Sequence, residues 1–329
     1  MSEQWSSERA RRWYKNQPWI VGCNFIPSFA INQLEMWQEI SFNPNVIEKE
    51  LSLARSIYFN TVRVFLHDLV WEDAPQYFKA RIDEFLQVSS ENGIKPILVF
   101  FDDCWNPSPR LGRQPEPKPG VHNSGWVQSP GVVNVNDPAS WQRLRAYMLD
   151  ILDTFKNDPR ILMWDLYNEP GNSGQGDRSL PFVESVFSWS REVLLSQPIT
   201  MGVWFDNEAL NRVQLTLSDI ISFHDYHPCD HLVASIERWK QYGRPVICTE
   251  YMARSKRSQF ETHLPIFARE GVGCINWGLV NGKTQTHLPW SSEPPSELWF
   301  HDIFTSDYQP YDSEEVKFIR DFIKSTRGE

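Results

Sequence analysis

Two glutamates, Glu169 and Glu250, each follow a short apolar stretch and stand among polar and aromatic neighbours, in residues 167–170 and 249–251. Two carboxyl groups that meet in one site can hydrolyse a glycosidic bond. One protonates the leaving oxygen, while the other attacks the anomeric carbon or activates water. An isolated glutamate is more often an ion-pair or helix-cap partner. The interpretation therefore depends on a fold that brings the two together.

Other polar and aromatic residues stand at the ends of further apolar stretches. The candidate substrate-binding residues among them are Arg63, His67, Asp103, Trp105, Asn168, Trp204, His224, Tyr226 and Trp277. A purely structural fold would not require such a residue behind nearly every apolar stretch. Their recurrence predicts that the ends of these stretches share one site.

The apolar stretches predict eight β-strands, because each is short, nearly continuous and rich in β-formers, as expected of parallel strands buried on both faces. They cover residues 19–25, 60–66, 96–101, 161–166, 199–204, 219–224, 245–249 and 273–277. Eight segments with helical periodicity alternate with them, and this alternation predicts an α/β fold. Eight such units in 329 residues favour a (β/α)8 TIM barrel in a single domain, residues 1–329.

A doubly wound open sheet is the alternative architecture, and it is less favoured because no Gly-x-Gly-x-x-Gly motif follows the first strand. The segments after strands 3 and 8, residues 102–137 and 278–312, are long and rich in tryptophan. Loops that follow barrel strands lie on the face where active sites form. We expect these two to wall the site and narrow it to a pocket for a terminal sugar or short oligosaccharide.

The composition excludes several classes of protein. The formal net charge is -10 and no basic stripe occurs, which argues against a nucleic-acid binder. No stretch approaches the ~18 apolar residues of a membrane span. Five cysteines without regular spacing predict reduced thiols, and the polar N-terminal segment predicts a cytoplasmic protein, although a trimmed secreted chain would look the same. The composition leaves the oligomeric state open.

The segment Tyr167-Asn168-Glu169-Pro170 resembles the Asn-Glu-Pro motif of clan A glycoside hydrolases, notably family 5. The segment around Glu250 resembles the clan's strand-7 nucleophile, and Arg63, residues 224–226 and Trp277 match further family 5 positions. The chain also resembles bacterial proteins labelled putative 1,4-β-xylanases. The resemblance spans the whole chain.

The resemblance implies a retaining β-glycosidase with Glu169 as acid/base and Glu250 as nucleophile, their carboxyl groups about 5–5.5 Å apart. It further implies contacts of Asn168 with the sugar 2-hydroxyl, of Tyr226 and Arg63 with Glu250, and of Trp277 with the apolar face of the sugar. It implies a carbohydrate substrate and no cofactor or metal. One departure is that the histidine usual after strand 3 is missing, and His67 or the pair Asp102 and Asp103 could replace it.

Three rival functions remain open. An endo-acting β-1,4-xylanase or endoglucanase would use the same glutamates on a polymer. A metal-dependent barrel hydrolase is suggested by residues 224–231, which contain three histidines, one cysteine and two aspartates. Their spacing matches no zinc template. A non-catalytic sugar-binding barrel would keep the tryptophans but would not need both glutamates.

Overall fold

Eight parallel strands form the centre of the protein, whose computed structural model describes residues 3–294 and 296–328. Every predicted strand segment overlaps one of them. The strands are β1 (Val21–Asn24), β2 (Thr61–Phe65), β3 (Ile97–Asp102), β4 (Met163–Asn168), β5 (Ile199–Thr200), β6 (Ile221–His224), β7 (Val246–Tyr251) and β8 (Gly273–Trp277). Strands β3, β4 and β7 continue one or two residues past their predicted ends, so that Asn168 and Glu250 lie within regular strands.

The strands pair in parallel in the order β5-β4-β3-β2-β1-β8-β7-β6. Strand β5 is shorter than the predicted 199–204. The chain leaves the ladder after Thr200, and the carbonyl of Gly202 accepts a 2.6 Å hydrogen bond from Nε2 of Gln214. It pairs again at Val203, which forms a bridge with Phe223 of β6. This bridge joins the two ends of the sheet and confirms the predicted (β/α)8 barrel.

Twelve α-helices accompany these strands within the described residues. They are α1 (Ser7–Lys15), α2 (Gln33–Trp37), α3 (Pro44–Ser56), α4 (Asp68–Asp73), α5 (Pro75–Glu91), α6 (Val132–Val135), α7 (Trp141–Phe155), α8 (Leu180–Ser190), α9 (Glu208–Leu217), α10 (Cys229–Lys240), α11 (Phe260–Glu270) and α12 (Ser313–Arg327). The eight predicted helical segments correspond to α3, α5 and α7–α12. Helix α3 begins at Pro44, because the side chain of Asn43 caps it and proline suits the first turn of a helix.

The four remaining helices, α1, α2, α4 and α6, correct the predicted one-to-one alternation. Three of them have only four to six residues, too few for a periodic apolar pattern. Helix α1 is strongly polar, and Ala10 is its one buried residue. None of the described helices is long and apolar enough to cross a lipid bilayer.

Helix α1 covers the end of the barrel at which the strands begin. Ala10 packs in a cluster with the apolar residues Ile20, Ile97, Leu162, Met163, Ile220, Ile247 and Ile275. The backbone N–H of Trp5 donates to Oδ1 of Asp219 at 2.8 Å, and Nη1 of Arg11 donates to the carbonyl of Gly243 at 2.7 Å. The barrel is therefore closed opposite the carboxyl ends of its strands.

The long segments after β3 and β8 contact each other on the opposite face. The N–H of Asn123 donates to the carbonyl of Thr284 at 2.7 Å, and Nδ1 of His122 lies 2.7 Å from the carbonyl oxygen of Leu288. Residue 295 of the predicted loop 278–312 lies outside the described residues. Because β2 and β1 separate β3 from β8 in the sheet, these contacts bridge the face above β1 and β2.

Candidate active site

The carboxyl ends of the strands surround a cavity of about 480 Å³, a size typical of small-molecule sites. Eight of the eleven residues predicted from the sequence line this cavity. They are Trp105, Asn168, Glu169, Trp204, His224, Tyr226, Glu250 and Trp277. The barrel thus brings together residues that are up to 172 positions apart, from Trp105 to Trp277.

Glu169 and Glu250 face each other across His224. A carboxylate oxygen of one lies within 4.8 Å of a carboxylate oxygen of the other. Nδ1 of His224 lies 2.8 Å from Oε1 of Glu169 and 3.5 Å from Oε2 of Glu250. An attacking water would need carboxyl groups about 6.5–9.5 Å apart, whereas direct attack by one carboxylate needs about 5–5.5 Å. The observed separation suits direct attack.

Glu250 is held by two donors. Nη1 of Arg63 lies 2.9 Å from Oε1, and the hydroxyl of Tyr226 donates to Oε2 at 2.8 Å. Burial and the neighbouring charge of Glu169 raise the pKa of Glu250, and the charges of His224 and Arg63, with the hydrogen bond from Tyr226, oppose that rise without cancelling it. The two donors fix the carboxylate in orientation.

Glu169 is held by different donors. His224 contacts Oε1, while Nδ2 of Asn172 and the thiol of Cys104 donate to Oε2 at 2.5 and 3.2 Å. Burial raises the pKa of Glu169, but the hydrogen bond and charge of His224, with these two donors, outweigh burial and lower it. Its φ of 45° lies in the left-handed region that residues other than glycine rarely adopt. Such strain clusters at functional sites.

Arg63 lies beneath the cavity and is completely buried. Besides Glu250, its guanidinium donates to Oδ2 of Asp165 at 2.8 Å, Oδ1 of Asn24 at 2.9 Å and Oδ1 of Asn168 at 2.7 Å. The amide nitrogen of Asn168 in turn donates to Oδ1 of Asp102 at 3.0 Å. Arg63 therefore links the ends of β1, β2, β4 and β7 and fixes two side chains of the cavity wall.

Aromatic rings form much of the rest of the wall. Trp277 packs edge-to-face with Trp126 and Phe65, with ring centroids 5.9 Å apart in both pairs. Trp126 and Trp290 also line the cavity, as expected of the two loops. Trp299, which we expected beside them, instead stacks on Tyr311 at 4.7 Å. On the other side, Trp105 is 48% exposed and Nε1 of Trp204 donates to the carbonyl of Pro170 at 3.0 Å.

Comparison with known families agrees with this geometry. A family model for cellulase (glycosyl hydrolase family 5) matches residues 27–283, which is most of the chain. The chain belongs to glycoside hydrolase family 5. The resemblance to this family stated from the sequence is confirmed.

Solved structures with the same barrel include other members of the family. An exo-β-1,4-mannosidase from Opitutaceae bacterium strain TAV5 is 19% identical with a TM-score of 0.66, over 94% of this chain and 60% of that one. A GH5_18 protein from Streptomyces cattleya in complex with GlcNAc is 12% identical with a TM-score of 0.64, over 95% of this chain and 81% of that one. A broad-specificity endoglucanase from Clostridium longisporum is 13% identical with a TM-score of 0.63, over 96% and 99% of the two chains.

A curated relative, the 1,3-β-glucanosyltransferase gel1 of Aspergillus fumigatus, is 25% identical over 154 residues. The match covers 41% of this chain and 34% of the relative, so this family 5 chain spans about a third of the relative's length.

Besides Arg63, two predicted binding residues of this family 5 chain lie away from the cavity wall. His67 is completely buried, where its Nδ1 caps α4 by accepting from Leu69 and its Nε2 contacts the carbonyl of Gln128 at 3.1 Å. Asp103 is also buried and accepts hydrogen bonds from Tyr167, Gly171 and Ser179 at 2.6–2.8 Å. Both side chains stabilise the loops around the family 5 site, and their predicted contact with substrate is corrected.

The group that replaces the missing family 5 histidine is neither His67 nor Asp103. Asp102 is buried below the cavity, where it accepts from Asn168 and from Nε1 of Trp126 at 2.7 Å. Burial raises its pKa to about 8. The residue that reaches Glu169 from the β3 side is Cys104, the second residue after the strand.

Sequence reasoning missed several residues of the cavity wall. Asn172 follows Glu169 by one turn, and no periodic pattern indicated that it folds back onto the carboxylate. His122 and His301 come from the two long loops, and their rings lie 5.5 Å apart. Each histidine lies within a few residues, in sequence, of a tryptophan predicted for the wall, and this was the signal that could have indicated it.

Within the described residues, two groups of side chains have a spacing that could hold a metal ion. One is Glu169, His224 and Glu250; the other is Asp225, His227 and His231 at the edge of the cavity. In the second group, Nδ1 of each histidine contacts the buried Asp225 carboxylate, at 3.2 and 2.8 Å. Residues 224–231, which suggested a metal cluster in the sequence, thus divide between the group around Glu169 and Glu250 and the edge of the cavity.

Proposed function

We propose that this family 5 chain is a retaining, exo-acting β-glycosidase that removes a terminal sugar from a short β-linked oligosaccharide. The observation that carries the mechanism is the pair of carboxylates within 4.8 Å of each other, each with its own set of donors. Glu250, between Arg63 and Tyr226, is the nucleophile. Glu169, beside His224, is the acid and base.

In the first step, the carboxylate of Glu250 attacks the anomeric carbon and forms a glycosyl ester. The bond to the leaving oxygen breaks, and that oxygen takes a proton from Glu169. The proton is the one that Oε1 of Glu169 shares with Nδ1 of His224 across 2.8 Å. In the second step, Glu169 removes a proton from water, whose oxygen attacks the same carbon and releases Glu250.

The contacts between the two long loops support the exo-acting part of the proposal. The acid lies on the leaving-group side of the scissile bond, so the aglycone extends from Glu169 at the end of β4 towards β5, past Trp105 and Trp204. The loops meet on the opposite side, above β1 and β2, through Asn123 and Thr284. We expect a wall there to limit the site to one sugar beyond the bond and to exclude a longer chain.

The relatives suggest the kind of sugar. One structural neighbour is an exo-β-1,4-mannosidase, and a GH5_18 neighbour is in complex with Manβ1-4GlcNAc. We therefore propose a β-linked mannoside or glucoside, with a mannosyl disaccharide as the first substrate to try. The endo-acting xylanase or endoglucanase is the rival that the same glutamates would also permit.

The test combines stereochemistry, variants and products. Proton NMR should show a β-anomer as the first product, and Glu250→Ala should lose activity on all substrates. Glu169→Ala should keep more activity on aryl glycosides with activated leaving groups, which need little protonation. Incubation with β-linked disaccharides should give monosaccharides, while xylan, glucan and mannan should keep their viscosity. Anomeric inversion would refute the mechanism, and rapid viscosity loss with mid-length products would establish the endo-acting rival.

A further inference from the structure

Cys104 lies at the side of Glu169 that faces β3. Its Sγ is 3.2 Å from Oε2 of Glu169, and the residue is 5% exposed and lines the cavity. The sequence has Cys104 in the segment after strand 3 where a histidine is usual in family 5.

The thiol is fixed in place by its neighbours. Nδ2 of Asn172 donates to Sγ at 3.2 Å, and the backbone N–H of Cys104 donates to Oδ1 of Asp102 at 2.8 Å. Burial and the negative charge of Glu169 raise the pKa of the Cys104 thiol well above its ordinary value. The sulfur therefore keeps its proton, and that S–H is available to donate to Glu169.

We propose that Cys104 is a positioning residue for the acid/base glutamate, and that its S–H and Nδ2 of Asn172 together fix Oε2 of Glu169 while Oε1 exchanges its proton with His224. The inference rests on the proposed role of Glu169. A cysteine suits this task differently from a histidine. An imidazole titrates near neutral pH and would compete for the proton, whereas the buried thiol donates at every working pH.

The hydrogen bond from Cys104 favours the ionised form of Glu169. Removing it should make the shared proton harder to lose, so the basic limb of the pH profile should move to higher pH. It should also let Oε2 rotate, which slows proton transfer to a poor leaving group. A glycoside with an activated leaving group needs little protonation in the first step and should be affected less.

The experiment compares Cys104→Ala and Cys104→Ser with wild-type enzyme, using kcat/KM against pH on an aryl glycoside with an activated leaving group and on one with a poor leaving group. Cys229→Ser is the control, because Cys229 is exposed and begins α10 outside the cavity wall. Thermal unfolding of each variant reports whether the barrel is intact.

One pH unit above the midpoint of the wild-type basic limb, Cys104→Ala should keep about twice the fraction of its maximal rate that wild type keeps. The fall in kcat/KM caused by Cys104→Ala should be greater on the glycoside with the poor leaving group than on the activated one. Cys104→Ser, whose hydroxyl is the stronger donor, should have its limb at or below that of wild type. The inference is wrong if the Ala profile superimposes on wild type, or if both substrates lose rate equally. Should Cys104→Ala fail to fold, a Ser limb above wild type would refute it.

The outcome is separable from that of the proposed function. If Glu169→Ala is fully active, the acid/base assignment fails and this inference with it. If Glu169→Ala loses rate on poor leaving groups while Cys104→Ala shows no change of limb, only the role of Cys104 is refuted.

Discussion

Nδ1 of His224 lies 2.8 Å from Oε1 of Glu169, the distance of a charge-assisted hydrogen bond. The contact joins the end of β6 to the end of β4, and a proton can pass through it to the acid. Nε2 of the same ring is buried and has no hydrogen-bond partner among the described residues. The imidazole thus occupies a fixed orientation between the two carboxylates.

Replacing His224 should slow the enzyme strongly. In His224→Gln the acid loses its proton-sharing partner, and we expect kcat/KM on a poor leaving group to fall by about 10²-fold or more, the usual contribution of general acid catalysis. The pKa of Glu169 should rise, since the charge that lowers it is gone. The control is His231→Gln, whose ring is half exposed on α10. Equal loss in both variants would contradict the assignment.

Replacing Arg63 should cost stability as well as activity. Arg63→Met leaves the buried carboxylates of Asp165 and Glu250 without their common cation, and removal of one partner of a buried ion pair costs about 3–5 kcal/mol. Urea unfolding monitored by tryptophan fluorescence measures the loss. Arg55→Met on α3, at an exposed position, should change the free energy of unfolding by less than about 0.5 kcal/mol. If the two variants unfold alike, the buried network is not the source of stability that its contacts indicate.

Weakening the contact between the long loops should change the length of substrate that fits. His122→Ala removes the ring whose Nδ1 contacts Leu288 and whose edge packs against Trp290. We expect kcat/KM to fall on a disaccharide and to rise on tetramers and longer chains, as measured by chromatography of the products. Val133→Ala, exposed on α6, is the control. An unchanged ratio would mean that this wall does not limit substrate length.

Glu50 should make stability depend on pH. It is buried on α3, where both carboxylate oxygens accept from the N–H of Ser28 at 3.1 Å, and burial raises its pKa to about 7. Between about pH 4.5 and 7 the unfolded chain has lost this proton while the folded chain keeps it. The free energy of unfolding should therefore fall as the pH rises through that window, and Glu50 should account for about 3 kcal/mol of the fall.

Glu50→Gln should remove that part of the pH dependence, because the amide cannot ionise. Urea midpoints at pH 5 and pH 8 measure it, with the exposed neighbour Glu48→Gln as control. A slope that persists in Glu50→Gln would assign the effect to another group.

Chelation tests the rival in which a metal ion is catalytic. The two carboxylates, Arg63 and Tyr226 can supply the whole double displacement, so dialysis against a strong chelator should leave kcat unchanged. If chelation lowers kcat, zinc or manganese restores it, and His231→Ala prevents that restoration, the group formed by Asp225, His227 and His231 would instead be implicated.

Much of the cavity could be predicted because a parallel barrel brings all strand ends to one face. Once eight apolar stretches were assigned, Glu169 and Glu250 had to lie on the same side of the molecule, whatever their separation in the chain. The same logic predicted Tyr226 and Trp277. Local side-chain identity was enough because each of these residues lies in a strand or within two residues of its end.

The errors arise where a strand becomes a loop. Asp102 and Asp103 are adjacent, and only the observed backbone decides that Asp102 reaches Asn168 while Asp103 turns to Tyr167 and Ser179. His67 became a helix cap because α4 begins at Asp68, and a six-residue helix has no periodicity to detect. Cys104 was predicted only to be a reduced thiol, because its contact depends on the approach of Glu169 from another strand.

Helix α1 covers the barrel at the end remote from Glu169 and Glu250. Substitutions in this helix can therefore change thermal stability at a distance from the two glutamates. Stabilising substitutions near a catalytic centre often slow it, because they restrict or relax strained groups there. Trp5, Ala10 and Arg11 contact residues at the floor of the barrel, and none of the three lines the cavity. An engineer seeking a more durable catalyst from this chain would begin with its first fifteen residues.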